Sequence, residues 1–188
     1  MPRSRCRTTT VRAKQDGSPV TSADLAGNYI LRAACLALFP AMPVVSEEDS
    51  RVFEAGKDSD SVLVIDPLDG TKEFIKGRDE FAVNIALVED GHASAGLIYA
   101  LARDRLFFSY GAGLAFEQTA GGQRRSLPRP SAPRRHPIAL VIRSHLDPRT
   151  EALLAALQPC DFEEIGSSLK FALLATAEVD FYLRLAAT

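Results

Sequence analysis

The stretch SVLVIDPLDGT, residues 61–71, decides both the fold and the chemistry that this sequence predicts. Residues 61–65 are rich in β-branched and aliphatic side chains, which is typical of a buried strand. Asp66 and Asp69 follow directly after this strand. Carboxylates at the end of a buried strand are unfavourable unless a cation neutralises them, so the pair predicts a metal site.

The residues between and after the two aspartates strengthen this prediction. Pro67 has no amide donor and restricts the backbone, which helps to turn the Leu68 carbonyl outward as a third oxygen ligand. Oxygen ligands suit Mg²⁺, an ion commonly shared with a substrate phosphate. Gly70 and Thr71 then open a short helix whose N-terminus could bind that phosphate, and the Thr71 hydroxyl could orient a water. A plain turn with an aspartate helix cap is the alternative interpretation of this motif taken alone.

Acidic residues upstream could complete the metal site. In the segment SEED, residues 46–49, one glutamate beside the aspartate pair would allow two Mg²⁺ ions, about 4 Å apart, to clamp the attacking and leaving oxygens of a phosphoryl transfer. Taken alone, this segment is more typical of a solvated acidic loop. Asp24 lies near the start of a predicted helix over 22–39, with Thr21 or Ser22 as its cap. Asp24 can therefore serve as a capping residue, as the holder of a metal-bound water, or as both.

The rest of the chain predicts an α+β fold in two parts. The first part is a run of short, mainly antiparallel strands, and the second alternates strands with helices. The predicted strands cover 44–45, 80–88, 93–100, 105–109, 113–116, 138–142, 161–165 and 178–184, and the predicted helices cover 147–157 and 167–176. The predicted organisation is an N-terminal arm over 1–19, a metal-binding lobe over 20–119, an Arg/Pro-rich loop over 120–137 and a C-terminal α/β lobe over 138–188.

The composition excludes several classes of protein. The 188 residues include 22 Lys and Arg against 24 Asp and Glu, and this near balance argues against a protein built to hold a nucleic acid polymer. No apolar run reaches the roughly 18 residues that a membrane span needs. The N-terminus lacks the apolar segment of a secretory signal. Because Cys6, Cys35 and Cys160 are few and widely spaced, they imply neither a disulfide framework nor a zinc site, and a cytoplasmic location is the default expectation.

Several motifs together resemble the inositol monophosphatase superfamily of magnesium-dependent, lithium-sensitive phosphatases. These motifs are SPVTSAD at 18–24, SEED at 46–49 and VIDPLDGTKEF at 64–74. Further segments are similar to the CysQ-type 3′(2′),5′-bisphosphate nucleotidases within that superfamily. They are KEFI at 72–75, NIALV at 84–88 and GSSLKF at 166–171. The resemblance extends from about Val11 to the C-terminus.

The resemblance implies a fold and a reaction. The fold would be a layered αβαβα sandwich of the sugar phosphatase type. The reaction would be magnesium-dependent hydrolysis of the 3′-phosphate of adenosine 3′,5′-bisphosphate to AMP and phosphate, in sulfate assimilation or nucleotide recycling. A water activated at the metal site would attack in line, without a phosphoenzyme. The protein would act on this small molecule as a monomer or homodimer in the cytoplasm, with peripheral association at the inner membrane as an open alternative.

The same resemblance implies roles for individual residues. Two or three Mg²⁺ ions are bound in intact family members, and the ligands here would be Glu47, Asp66, Asp69 and the Leu68 carbonyl. Catalysis would involve Glu47, Thr71 and Asp24. The substrate would contact Glu47, residues of the turn 66–71 that holds the predicted metal ligands (the metal turn), and three residues of the C-terminal lobe. This set is Glu47, Leu68, Asp69, Gly70, Thr71, His145, Gly166 and Lys170.

Two departures from the family pattern affect these expectations. Whole members begin with a helix upstream of the SPVT motif, whereas residues 1–10 here do not predict a helix. Whole members also continue into a Trp-Asp motif that completes the second metal site, whereas this chain has no tryptophan. These departures predict a chain truncated at both ends, without the first helix and the last C-terminal elements, and with a weakened second metal site. The missing segment adds a catalytically impaired truncated remnant as one alternative. The other is an inositol monophosphatase-like phosphatase, which has the same chemistry but a different substrate.

Overall fold

The computed structural model describes residues 10–14, 17–49, 59–111, 113–129, 134–141 and 147–185. The strands in these ranges are β1 (Val11–Ala13), β2 (Pro19–Thr21), β3 (Val44–Ser46), β4 (Ser61–Asp69), β5 (Ala82–Glu89), β6 (His92–Ala100), β7 (Arg105–Tyr110), β8 (Ala115–Thr119), β9 (Arg124–Leu127), β10 (Ile138–Val141), β11 (Asp161–Glu164) and β12 (Phe181–Leu183). The α-helices are α1 (Ser22–Leu38), α2 (Thr71–Ile75), α3 (Pro148–Ala156) and α4 (Leu169–Ala175).

Seven strands form the main sheet, in the order β3-β4-β5-β6-β7-β8-β9. Strand β3 is parallel to β4, and each later pair of neighbours is antiparallel. Asp90 and Gly91 both have a positive φ between β5 and β6, which suits a two-residue hairpin turn. The main sheet confirms the antiparallel middle region that the sequence predicts.

Helix α1 begins at Ser22, as the sequence predicts, and ends at Leu38, one residue before the predicted end. The Thr21 hydroxyl accepts hydrogen bonds from the amides of Ala23 and Asp24, and the Asp24 side chain accepts one from the Thr21 amide. This reciprocal capping box satisfies amides that a helix start leaves unpaired. At the other end, Phe39 leaves the helical conformation because it precedes Pro40.

Three parallel strands form the small sheet, in the order β11-β10-β12. The central strand β10 is buried along residues 139–141, as expected for a parallel strand that is covered on both faces. Helix α3 connects β10 to β11, and α4 connects β11 to β12. This alternation confirms the predicted α/β pattern of the second part.

The helices and sheets stack in five layers. Helix α1 packs on one face of the main sheet through Cys35, Leu63 and Ile65. The other face shares a hydrophobic core with α4 and the small sheet. This core includes Ala100, Phe107, Leu140, Leu169 and Leu173. Helix α3 packs on the far face of the small sheet through Ala139, Val141, Leu154 and Cys160. The order helix, sheet, helix, sheet, helix confirms the predicted αβαβα sandwich.

Two segments that the sequence predicts to be irregular contain strands. In the predicted arm over 1–19, β1 pairs antiparallel with β2. In the predicted loop over 120–137, β9 forms the last strand of the main sheet. The guanidinium of Arg124 lies 3.6 Å from the centre of the Phe116 ring, and Leu127 is buried. These contacts make an arginine-rich strand stable at the sheet edge.

Two element boundaries also differ from the prediction. Strand β4 does not end before Asp66 but continues to Asp69, with a shift in its register against β5 between these two residues. Helix α4 begins at Leu169 and not at residue 167, and the amide of its N-cap residue Ser168 donates to Asp69. The other predicted helices and strands differ from the observed ones only at their ends. No helix in the described ranges has the length and hydrophobicity needed to cross a bilayer.

Candidate metal and phosphate site

The predicted aspartate pair lies at the bulged end of β4, against the first turns of α1. Strand β4 pairs with β5 as far as Asp66, which lies opposite Asn84, and the register then shifts before Asp69. Helix α1 approaches this bulge closely, because a Cβ on Gly27 would lie only 3.3 Å from Cβ of Pro67. The absence of a side chain at this position brings the start of α1 next to the metal ligands that the sequence predicts.

Asp24 and Thr71 are joined by a hydrogen bond at this junction. Oδ2 of the buried Asp24 accepts hydrogen bonds from the Thr21 amide at 2.8 Å and from the Thr21 hydroxyl at 2.5 Å. The other oxygen of Asp24 lies 3.0 Å from Oγ1 of Thr71, which is also 3.0 Å from the Leu68 carbonyl oxygen. The capping interpretation of Asp24 is therefore confirmed, and its second oxygen contacts another predicted site residue.

Gly70 makes the turn from β4 into α2. Its φ of +90° is a conformation that side-chain-bearing residues rarely adopt. A Cβ at this position would lie 2.8 Å from the Glu80 carbonyl oxygen and 3.1 Å from Cβ of Ser167. Glycine is thus required both by the turn and by the close approach of the segment before α4. Helix α2 begins at Thr71, as the sequence predicts.

Glu47 and Glu48 follow β3 beside the end of β4. The Glu47 amide donates to the Ile65 carbonyl at 3.1 Å, which fixes the backbone at this point. Nζ of Lys14, from the turn between β1 and β2, donates to Glu47 at 2.8 Å and to Glu48 at 2.9 Å. The Glu48 side chain is 5% exposed and the Glu47 side chain is 54% exposed, so Glu47 is the more accessible of the two.

The pKa values at this site reflect an excess of negative charge. Burial raises the pKa of Asp66 to about 7, and the neighbouring carboxylates of Glu47 and Asp69 act in the same direction. Burial also raises the pKa of Glu48, although Lys14 opposes this effect. Partial burial lowers the pKa of Lys14, but its hydrogen bonds to the two glutamates outweigh this and raise the pKa to about 12. A further cation would therefore be stabilised here.

The oxygen atoms at the bulge fit a partly hydrated magnesium ion. The carboxylates of Asp66 and Asp69 and the carbonyl of Leu68 are hard ligands within one short segment. Across the ranges that the structure describes, no three Asp, Glu, His or Cys side chains already form a closed metal cage. Magnesium usually keeps several waters and takes one or two carboxylates, so an open set of this kind suits it. Glu47 could join the set once its ion pair with Lys14 opens.

Gly166 and His145 differ in what the structure shows of them. Gly166 packs against α2, because a Cβ on it would lie 2.6 Å from Cγ of Glu73, a buried residue of that helix. The sequence predicts that Gly166 begins α4. This prediction is wrong, because that helix starts at Leu169. His145 lies outside the described residues.

Lys170 is half-buried in the first turn of α4. Its Nζ donates to the Ser167 carbonyl at 2.9 Å and lies 5.0 Å from the centre of the Phe171 ring. Burial lowers the pKa of Lys170, while the negative charge of Asp69 acts in the opposite direction. The charge of Lys170 therefore interacts with that of Asp69, one of the predicted metal ligands.

The sequence did not predict three residues that contact this site. Besides Lys14, they are Ser168, whose amide donates to Oδ2 of Asp69 at 2.5 Å, and Asn84, whose amide group lies 3.4 Å from the same oxygen. The sequence contains a signal that could have identified Asn84, because it is a single polar residue within the apolar strand segment 82–88. Ser168 and Lys14 gave none, since neither residue type in its local sequence indicates a contact so distant along the chain.

Comparisons with known proteins now place the chain in a family. A model of the inositol monophosphatase family matches residues 3–188. The chain belongs to this family. It is 38% identical over 175 residues to the 3′(2′),5′-bisphosphate nucleotidase CysQ of Salmonella typhimurium, and the alignment covers 93% of this chain and 70% of that protein.

Solved structures agree with this assignment. CysQ from Bacteroides thetaiotaomicron, a bacterial member of the inositol monophosphatase family, is 33% identical with a TM-score of 0.71, over 84% of this chain and 65% of that chain. An IMPase/NADP phosphatase complexed with Mg²⁺ and phosphate shares the fold at 18% identity with a TM-score of 0.74, over 91% of this chain and 64% of that chain. The similarity to CysQ-type proteins is thus confirmed, and this chain spans about two thirds of the length of these solved structures.

Proposed function

We propose that this chain is a magnesium-dependent phosphatase that removes the 3′-phosphate from adenosine 3′,5′-bisphosphate and gives AMP and phosphate. The observation that carries this proposal is the bulge at Asp66–Asp69, where burial and neighbouring carboxylates raise the pKa of Asp66 to about 7. A divalent cation would relieve that excess of negative charge. The similarity to the CysQ nucleotidases supports this substrate. The proposed setting is sulfate assimilation or nucleotide recycling.

Four groups would hold the magnesium in this proposal. They are the carboxylates of Glu47, Asp66 and Asp69 and the carbonyl of Leu68. Bound magnesium would neutralise charge on the phosphate and lower the pKa of the attacking water. The contribution of the chain is to present these oxygens at one edge, through the register shift of β4 and the adjacent end of β3.

Thr71, Asp24 and Glu47 would prepare the water. The Thr71 hydroxyl has one proton, which it donates either to Asp24 or to the Leu68 carbonyl. Its lone pairs then remain able to accept a hydrogen bond from water. Glu47, which is partly exposed at the same edge, would accept the proton that the water loses. Since water attacks phosphorus directly, no side chain has to form a covalent intermediate.

The phosphates and the nucleoside would contact the turn and the segment that follows β11. Gly70 has no side chain and allows the scissile phosphate to approach the backbone of Gly70 and Thr71. Lys170 would provide positive charge for the second phosphate, and an anion beside it would offset the cost of its burial. Gly166 and His145 are proposed as further nucleotide contacts.

We also propose a setting for the reaction. The ligand is a small molecule, and a nucleic acid polymer is not required. The chain would act as a monomer or homodimer in the cytoplasm, or at the inner face of the membrane through a peripheral contact. Sedimentation of the purified chain, with and without vesicles of anionic lipid, would separate these states.

Phosphate release by the purified full chain tests the proposed activity. The substrates are adenosine 3′,5′-bisphosphate and inositol 1-phosphate, each assayed with magnesium and with a chelator. We expect magnesium-dependent release that is faster from the nucleotide. Asp66→Asn should abolish release, while Asp161→Asn, which removes the same charge from an exposed position on β11, should leave it unchanged.

Two results would contradict the proposal in different ways. Faster release from inositol 1-phosphate would keep the chemistry but reject the substrate. No magnesium-dependent release from either substrate would reject the enzyme and favour a catalytically impaired member of the family.

A further inference from the structure

The two oxygens of the Asp69 carboxylate have different surroundings. Oδ2 accepts a hydrogen bond from the Ser168 amide at 2.5 Å, and Nδ2 of Asn84 lies 3.4 Å from it. Within the described ranges, no donor contacts Oδ1. Two protein donors thus converge on one oxygen and leave the other available. A carboxylate held in this way can bind a cation through a single, oriented oxygen.

The amide of Asn84 is itself held in one orientation. The Ser168 hydroxyl donates to Oδ1 of Asn84 at 2.9 Å, and the NH₂ group of Asn84 faces Oδ2 of Asp69, a carboxylate oxygen that can only accept. The opposite orientation would bring the carbonyl oxygen of Asn84 against a carboxylate oxygen, which is unfavourable. Asn84 lies on β5 directly opposite Asp66 in the strand register, so it is anchored by the backbone ladder at the bulge.

Ser168 is also rigidly placed. Its neighbours Ser167 and Leu169 are almost completely buried, and the preceding Gly166 lies against Glu73 of α2. The amide and hydroxyl of Ser168 therefore connect the segment before α4 to the metal turn of the main sheet. This connection joins residues that are 99 positions apart in the chain, through the Ser168 amide and Asp69.

We propose that Asn84 and Ser168 are positioning residues that fix Oδ2 of Asp69 and so orient Oδ1 for magnesium. The inference rests on the proposed function, because it assumes that Asp69 is a magnesium ligand. It adds that magnesium affinity depends on the segment 166–168 of the C-terminal part. The alternative is a bracing role, in which Asn84 and Ser168 only hold the segment 166–168 against the main sheet. Bracing predicts a change in the stability of the chain but not in its magnesium affinity.

Magnesium binding to the full chain tests this inference without any turnover. Calorimetric titration with MgCl₂ alone would be applied to wild type, Asn84→Ala, Ser168→Ala and the double variant. We expect Asn84→Ala to weaken magnesium binding by about 10- to 100-fold, as removal of groups that orient metal ligands usually does. Ser168→Ala keeps the backbone amide and should cost less. Since the hydroxyl acts through Asn84, the double variant should match Asn84→Ala.

The magnesium dependence of the rate also separates positioning from bracing. In the proposed phosphatase assay, Asn84→Ala should raise the magnesium concentration that gives half-maximal rate, and saturating magnesium should restore most of kcat. Ser94→Ala is the matched control, because its hydroxyl donates to the Leu87 carbonyl at 3.4 Å elsewhere on the main sheet. That variant should leave magnesium affinity unchanged.

The outcomes distinguish this inference from the proposed function. Wild-type magnesium affinity in both Asn84→Ala and Ser168→Ala would overturn the positioning role while the proposed function stands. A lower melting temperature with unaltered affinity would overturn it in favour of bracing. A wild-type chain that neither binds magnesium nor releases phosphate would overturn the proposed function, and the positioning role with it.

Discussion

Two clusters of buried charge lie on the main sheet and differ in how their charges are matched. At the end of β4, Lys14 is the cation paired with Glu47 and Glu48, and burial together with nearby carboxylates raises the pKa of Asp66 to about 7. We call this the acidic cluster, which comprises Asp24, Glu47, Glu48, Asp66 and Asp69. At the opposite side of the sheet, a second cluster contains two arginines and two glutamates.

The second cluster, here called the balanced cluster, comprises Arg105, Glu117, Arg129 and Glu178. Nε of Arg105 donates to Glu117 at 2.6 Å, while its NH1 and NH2 groups donate to Glu178 at 3.0 and 2.5 Å. Arg129 also donates to Glu117. The fold can therefore match two acidic side chains with two basic ones, and these contacts join β7 and β8 to the turn that precedes β12. The acidic cluster lacks such pairing, which is the physical argument for a cation there.

Glu117→Ala, which disrupts the balanced cluster, should produce the largest change in the free energy of unfolding. The Glu117 side chain is 4% exposed, so its loss leaves two partly buried arginines with Glu178, which is 43% exposed, as their remaining shared partner. We expect a loss of about 3–5 kcal/mol in the free energy of unfolding, the usual cost of removing one member of a buried ion pair. Urea unfolding measures it, with the exposed Glu163→Ala as control. A loss similar to that of the control would show that this cluster is not structural.

Asp66→Asn should have the opposite effect on stability, because it removes an unmatched charge. At pH 8 and without metal, we expect the variant to be more stable than wild type in the same urea assay. Its magnesium-dependent phosphate release should fall by more than about 100-fold, since a direct ligand should matter more than the groups that orient one. Lower stability of the metal-free variant would contradict the contrast between the clusters.

The pH dependence of the acidic cluster provides the next test. In the folded, metal-free chain, Asp66 keeps its proton up to about pH 7, whereas in the unfolded chain it loses it near its ordinary pKa of 3.8. The folded state thus binds more protons in this window, so the contribution of Asp66 to stability falls from about pH 4 to pH 7 and is constant above.

Magnesium should displace the same proton. We therefore expect the apparent magnesium affinity to weaken about tenfold per pH unit below pH 7, with uptake of a proton by the buffer. Calorimetry in two buffers of different ionisation enthalpy measures this. Affinity that does not change between pH 5.5 and pH 8 would show that Asp66 is already ionised in the metal-free chain.

Local sequence signals predicted the acidic cluster, whereas long-range contacts could not be predicted. The Thr21 and Asp24 capping box, the hairpin at Asp90 and the turn at Gly70 each involve residues within a few positions of one another. Their geometry follows from local rules of capping and of positive φ. The same is true of the aspartate pair, whose charge excess can be inferred from residues 61–71 alone.

The contacts that orient and neutralise this cluster depend on how distant segments meet. The Ser168 hydroxyl and Asn84 are 84 positions apart, and Lys14 and Glu47 are 33 positions apart. Strand β9 illustrates the same limit, because an arginine-rich segment forms a strand only when Phe116 is there to pack against Arg124. Helix α1 shows that an apolar pattern in the sequence does not by itself place every apolar residue in the core. Its Ile30 and Leu38 are 63% and 72% exposed in the described chain.

Lys14→Gln should give the smallest effect, and it sharpens the comparison by removing the cation paired with the two glutamates. In the proposed site Lys14 would compete with magnesium for Glu47, because its Nζ lies 2.8 Å from Oε1 of that residue. Since the Glu47 side chain is 54% exposed, this ion pair is worth at most about 1 kcal/mol. We therefore expect magnesium to bind up to about fivefold more tightly in the calorimetric titration, and the gain to shrink at high salt.

Arg12→Gln is the matched control for Lys14→Gln. It removes the same charge from β1, where Arg12 is exposed, and should change magnesium affinity less. Weaker binding in Lys14→Gln alone would mean that the lysine holds Glu47 in place for the metal instead of competing with it. Because both roles use the same pair of atoms, Nζ of Lys14 and Oε1 of Glu47, only the sign of the change can separate them.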